Sequence, residues 1–329
     1  MGGSRGEVDW AALRQKADGQ CDLLTRGQCL TAGLTRHALD WKVASGRWVR
    51  LHEKVFLTKP GRDDWHTSAM AALLYALSGA PVADAALAGR SAGLLWGLET
   101  RAPGTVQLVV PERRRVVEPS GVRIGRVSRF DGRVDDLAFP WRTTPAATVL
   151  DVATDGTPLD ALSLVARAIQ KEFVTAAELS CEMLARGGHR HSRILKPALS
   201  DVADGAESGA EVLYIRDVER AHGLPRATRQ SGAGLGAGKR TDNEYQEFRV
   251  VVEVDGRLGH EQWSDRVRDG QRDRVLLGSS RLTTRVFFAD VAVTPCQTAM
   301  QVGSILRTRG WGGRLRPCRR AGCFATTAP

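Results

Sequence analysis

A short apolar run near residue 250 carries acids that such a run would normally exclude. It reads Arg249-Val-Val-Val-Glu253-Val-Asp255-Gly256, with Asp242 upstream and His260, Asp269, Arg272 and Asp273 downstream. An unpaired carboxylate buried in a strand is costly, so acids here need a purpose or a partner. Glu253 and Asp255 are two residues apart and therefore share one face of an extended strand. Three carboxylates converging beside a histidine and several arginines suit a hard cation and a phosphate. Oxygen donors of this kind select Mg²⁺ or Mn²⁺. A cation so held activates water and stabilises charge on a phosphodiester. The glycine-rich stretch Ser231–Lys239 is not a second phosphate site. Its glycine spacing is wrong, and Arg240 stands where a Ser or Thr would reach the metal. A hairpin turn is the expected structure.

The elements that must position these groups can be read around them. Ser208 to His222 has the pattern of an amphipathic helix containing Glu211, ended by Gly223-Leu-Pro225. Arg240–Tyr245 and Phe248–Val254 read as strands and Gln262–Leu277 as a helix. Leu282-Thr-Thr-Arg-Val-Phe-Phe is another strand, and Cys296–Arg309 a final helix. The order is helix, hairpin, acidic strand, helix, strand, helix.

The N-terminal sixty residues form a different unit. Asp9 to about Lys16 is a helix with an acidic cap, Thr25 is a second helix start, and Thr35 caps a third helix that Gly46 ends. Leu39 and Val43 share its inner face. Arg47-Trp-Val-Arg-Leu and Lys54-Val-Phe-Leu-Thr read as two strands, which gives the order of a winged helix-turn-helix. Between the two units, Trp65–Leu77, Ser91–Leu98 and Leu159–Gln170 are helical. Thr105–Val110 and Val122–Val127 alternate like strands, and Arg142-Thr-Thr-Pro145 opens another helix. The basic loop Pro111-Glu-Arg-Arg-Arg-Val is expected to be solvated, Asp151 to be a helix-surface acid, and His189 and His191 to lie in a loop at a helix end.

Composition narrows the function classes. The 329 residues carry a net charge of +10, which favours a polyanionic partner, with DNA first. No stretch approaches the ~20 apolar residues of a membrane span, and Met1-Gly-Gly-Ser-Arg-Gly lacks the apolar core of a signal peptide. A cytoplasmic protein with no membrane partner is expected. Cys21, Cys29, Cys181, Cys296, Cys318 and Cys323 are scattered and form no disulfide framework. A zinc site on Cys318 and Cys323 is disfavoured, because their spacing only borders the structural pattern. Free thiols are the expected state.

Two family resemblances rest on these residues. Leu23-Leu-Thr-Arg-Gly-Gln28 through Leu34-Thr-Arg36 to Gly46-Arg-Trp48 and Val55-Phe56 resembles the N-terminal antitoxin domain of AbiEi-type abortive-infection proteins. That resemblance implies DNA binding, with Thr35, Arg36, His37 and Lys42 near a groove and Arg47 or Arg50 of the wing on phosphate. It also raises a cognate toxin as a partner. The string Glu253-Val-Asp-Gly256 to His260, then Asp269-Gly-Gln-Arg-Asp273, resembles the uncharacterised relatives of very-short-patch-repair endonucleases in the PD-(D/E)XK superfamily. That resemblance implies Asp242, Glu253 and Glu211 as metal ligands, His260, Asp255 and Arg272 as catalytic groups, and Mg²⁺ or Mn²⁺ as cofactor. One departure matters: Asp255 stands where that superfamily has a lysine that orients water.

The expected fold class is α+β and α/β. A winged helix-turn-helix occupies 1–60, a mixed helical and β connector 61–205, a restriction-endonuclease-like α/β domain 206–312, and a basic cysteine-containing tail 313–329. Two functions remain open. One is a DNA-binding protein with a metal-dependent endonuclease-like domain. The other is a non-enzymatic antitoxin-like regulator that keeps a degenerate nuclease fold as a scaffold.

Overall fold

The computed structural model describes residues 7–78, 84–137, 139–204, 208–231, 241–255 and 280–325. It divides into two compact units, Met1–Val152 and Ala153–Pro329. The chain is a mixed α and β protein.

The first unit opens with helix α1 (Trp10–Asp18), strand β1 (Leu23–Thr25), helices α2 (Arg26–Thr31) and α3 (Arg36–Ala44), and strands β2 (Val49–His52) and β3 (Val55–Leu57). Three side-chain caps set the helix starts. Asp9 accepts from the Ala12 amide, Thr35 accepts from the Ala38 amide, and Thr25 forms a reciprocal box with Gln28. The strands pair antiparallel in the order β1-β3-β2, with Leu24 opposite Phe56. Strand alternation splits this small sheet between two cores. Leu24 and Phe56 pack with Leu13, Leu34, Leu39 and Trp48 on the helical side. Leu23, Val55 and Leu57 pack on the other side against α4 (Trp65–Leu77). Helix α4 is therefore apolar nearly all round. Strand β1 was not expected from the sequence.

The rest of this unit is a five-stranded sheet with the order β6-β5-β4-β8-β7. Its strands are β4 (Ala86–Leu87), β5 (Val106–Pro111), β6 (Val122–Val127), β7 (Val134–Asp135) and β8 (Arg142–Thr143), with helix α5 (Gly89–Leu95) after β4. β5 and β6 run parallel in an unbroken six-residue register. The loop arginines after β5 are not merely solvated. Arg113 pairs with Asp84 at 2.7 Å, and Arg114 donates to the Asp84 and Ala76 carbonyls. Asp151, expected on a helix surface, pairs with Arg133 at 2.8 Å.

Helix α6 (Pro145–Asp155) spans the boundary between the units. The second unit then continues with α7 (Pro158–Gln170), α8 (Ala176–Ala185) and α9 (Ser192–Asp204). In the loop before α9, His189 bonds to Thr154 and His191 to the Gly156 carbonyl, each at 3.0 Å. Helix α10 (Ser208–Leu213) runs on into a π-helical stretch, Tyr214–Arg220. A four-stranded sheet follows, ordered β12-β11-β10-β9, from β9 (Thr228–Ser231), β10 (Thr241–Tyr245), β11 (Val250–Asp255) and β12 (Leu282–Phe287). β9, β10 and β11 pair antiparallel, whereas β11 and β12 are parallel. Helices α11 (Phe288–Ala292) and α12 (Pro295–Thr308) complete it. No helix among the described residues is long and apolar enough to cross a membrane.

Candidate nucleic-acid interface and carboxylate face

Helix α3 and the β2–β3 hairpin bring the predicted basic residues onto one small unit. The buried side of α3 is fixed by Leu39, so Arg36, His37, Asp40 and Trp41 fall on exposed positions. Thr35 is exposed and holds the helix start through its hydroxyl. Lys42 is half-buried, and its ammonium lies 4.6 Å from the Trp10 ring centroid and 5.0 Å from that of Trp48. These rings attract it electrostatically and hold it in place. Arg47 stacks over the half-exposed Trp41 at 4.7 Å, and Arg50 lies over Phe56 at 5.8 Å. Stacking leaves the rim of a guanidinium open to donate, which suits a phosphate or a base edge. At the end of β2, burial against Tyr75 holds the His52 imidazole below its usual range.

The sheet of the second unit has two chemically different faces. Tyr245 donates to, or accepts from, Tyr214 of the π-helical stretch at 2.9 Å, and both rings are buried. Asn243, two residues before Tyr245, takes a hydrogen bond from Arg229 on β9. Arg229 also reaches both oxygens of buried Glu219 at 2.8 Å, and Glu219 accepts from the Ala227 amide at 3.1 Å. This network binds the sheet to the helix that precedes it. Burial raises the Tyr214 phenol well above its usual range, so it stays protonated.

Strand alternation puts the acids on the opposite face. Glu244 stands across from Val251 on β11, and Glu253 and Asp255 follow Val251 at two-residue steps. Glu244 and Glu253 are buried and Asp255 half-buried. Glu244 Oε1 accepts from Arg281 at 2.8 Å, while its Oε2 is buried with no hydrogen-bond partner among the described residues. Glu253 lies in register with Arg285 of β12.

Each predicted site residue can now be located. Glu253 and Asp255 do share a strand face. Asp242 lies on β10, one step along the register from the Asn243–Val252 pair and hence opposite Glu253, and its side chain is outside the described structure. Glu211 is half-buried on α10, which packs against β11. His260, Asp269, Arg272 and Asp273 lie outside the described residues, as does the predicted helix Gln262–Leu277. Sequence reasoning missed Glu219, Arg229 and Arg281 as partners. Glu244 shares the face of Glu253.

Comparison with known proteins adds a family signal. Residues 84–198 match the AbiEi antitoxin C-terminal domain family, over less than half of the chain. That segment begins just before β4 and ends within α9, in the stretch expected to be only a connector. It lies outside residues 1–60, on which the sequence resemblance to antitoxins was read. No curated protein matches the chain. A solved structure, the RV2827C protein from Mycobacterium tuberculosis, matches 64% of this chain and 82% of its own length at 18% identity and a TM-score of 0.40.

Proposed function

We propose that this protein is a DNA-binding regulator of the antitoxin type, with the N-terminal winged helix as its DNA-contacting element. The observation that carries this reading is the exposed basic surface of α3 and the hairpin, with Arg36 and His37 on the helix and Arg47 stacked on Trp41. The helix, strand, helix, helix, hairpin order supports the winged-helix assignment. The match to an antitoxin domain supports the regulatory class and a toxin as protein partner. Backbone charge supplies affinity, and side chains of α3 supply any base reading. Binding of duplex DNA containing the protein's own promoter, followed by fluorescence anisotropy, tests it. Arg36→Ala combined with Arg47→Ala is expected to weaken binding at least tenfold without loss of fold. Unchanged affinity would reject the winged helix as the contact surface.

A second reading is a metal-dependent phosphodiesterase, with the sheet of the second unit as a restriction-endonuclease-like core. The acid face of β10 and β11 favours it. Its carboxylate donors fit a hard cation, and the open, buried Glu244 Oε2 is a group such an ion would satisfy. Glu253, Asp255 and Glu244 would hold Mg²⁺ or Mn²⁺, with Asp242 and Glu211 as further candidates. The bound ion would supply charge stabilisation at a phosphate. His260 would carry the proton and Arg272 the phosphate charge. The absence of a lysine at Asp255 and the Arg281 clamp on Glu244 weigh against turnover. Plasmid nicking with Mg²⁺ or Mn²⁺ that disappears in both Asp242→Ala and Glu253→Ala would establish this activity. An inert protein under those conditions would leave the sheet a scaffold.

A further inference from the structure

Four side chains from three distant parts of the second unit converge on one point. His222 follows the π-helical stretch, Cys296 sits in the first turn of α12, and Cys318 and Cys323 flank a turn in the C-terminal tail. Their ligand atoms all lie within 4.8 Å of one another. Cys296 Sγ and Cys318 Sγ are 3.7 Å apart, as are Cys323 Sγ and His222 Nε2. A disulfide requires sulfurs about 2.05 Å apart, so the 3.7 Å pair is not bonded. Tetrahedral zinc with Zn–S of about 2.3 Å separates two sulfurs by about 3.8 Å. The two 3.7 Å separations match edges of such a tetrahedron.

The surroundings are those of a ligand set and not of a chance thiol cluster. His222 is fully buried, and its Nδ1 bonds to the Val218 carbonyl at 3.2 Å. A carbonyl can only accept, so the proton sits on Nδ1 and the Nε2 lone pair is turned to the sulfurs. That is the orientation metal-bound histidines are given by their outer partners. The Cys318 amide donates to Cys323 Sγ and the Arg320 amide to Cys318 Sγ, both at 3.4 Å. Amide donors of this kind stabilise thiolates. Gly322, at φ +75°, makes the tight turn between the two cysteines. Residues 311–317 have no regular secondary structure, yet Leu315 is buried against Gly303 of α12 and Arg316 bonds to the His222 and Arg220 carbonyls.

We infer that His222, Cys296, Cys318 and Cys323 form a structural Cys₃His zinc site that pins the C-terminal tail to α12 and to the end of the helix before β9. With all four positions taken by protein, the site has no open coordination position and holds structure, not substrate. Three thiolates and one Zn²⁺ leave one negative charge, in a tail segment whose sequence is rich in arginine. The proposal is independent of the DNA-binding reading.

The test uses the full chain, purified under reducing conditions. Elemental mass spectrometry should find about one zinc per chain. Cobalt exchanged into the protein should give the visible absorption of a tetrahedral thiolate site. The double variant C318S/C323S should lose both signals, and Cys181→Ser, which removes an exposed thiol elsewhere, should keep them. His222→Cys guards against a mere folding failure, because a Cys₄ set should retain cobalt with a shifted spectrum. A folded, reduced chain that carries no zinc and gives no cobalt spectrum would overturn the proposal. A Cys296–Cys318 disulfide in the non-reduced peptide map would overturn it equally.

Discussion

Among the described residues of the second unit, Glu219 is a firmly held buried acid. It is 2% exposed, and both of its oxygens are taken by Arg229, with the Ala227 amide as a further donor. Removing one partner of a buried pair costs more than the pair contributes, because the remaining charge is left in a poor solvent. Glu219→Ala is therefore expected to cost about 3 kcal/mol in urea unfolding. The double variant E219M/R229M should recover much of that loss, since it buries no stranded charge. A double variant as unstable as the single one would mean that the network's worth lies in its hydrogen bonds and not in charge pairing. Part of this residue-level detail was legible in the sequence. Acids at 253 and 255 within a valine run announce a shared strand face from alternation alone. Glu219 and Arg229 are ten residues apart, Glu244 and Arg281 thirty-seven, and His222 and Cys323 one hundred and one. No periodicity connects such pairs, because only the tertiary fold brings them together.

Among elements, the helix starts of the N-terminal sixty residues were legible because each is set by a local bond. Asp9, Thr25 with Gln28, and Thr35 all cap as their types predict. Strand β1 was not legible. It is three residues long, follows two residues at positive φ, Cys21 and Asp22, and passes directly into α2 without a turn. β9 and the parallel β5–β6 pair were hidden for a related reason, since pairing depends on a partner strand and not on local pattern. The cap on α3 offers a way to separate structure from DNA contact. Thr35→Ala removes the acceptor for the Ala38 amide and is expected to cost about 1 kcal/mol. Thr35→Asp keeps an acceptor of equal capping quality, so thermal stability should hold. It also places a negative charge at the helix end beside Arg36 and His37. Should that end face phosphate, Thr35→Asp will weaken DNA binding several-fold at unchanged stability, as read by anisotropy beside a melting curve. Equal binding by the Asp variant would turn α3 away from DNA.

For the whole molecule, the +10 net charge is itself a potential partner signal, and it must be distinguished from a defined interface. A diffuse excess of arginine attracts any polyanion, and each arginine then matters about as much as any other. A built interface concentrates the effect on the few cations that displace counterions from phosphate. The two cases differ in their salt dependence. The slope of log affinity against log salt is about −0.9 for each phosphate neutralised on duplex DNA. Arg36→Ala, on the exposed face of α3, should reduce that slope by about 1, because one phosphate contact is lost. Arg167→Ala removes an exposed charge from α7 in the other unit and should leave the slope unchanged. Both variants lower the net charge by the same amount, so net charge alone predicts equal effects. Titrations at four or five salt concentrations with the parent and both variants decide the matter. Unequal slopes place the DNA on α3. Equal slopes make the binding a property of composition and rule out α3 as the DNA contact.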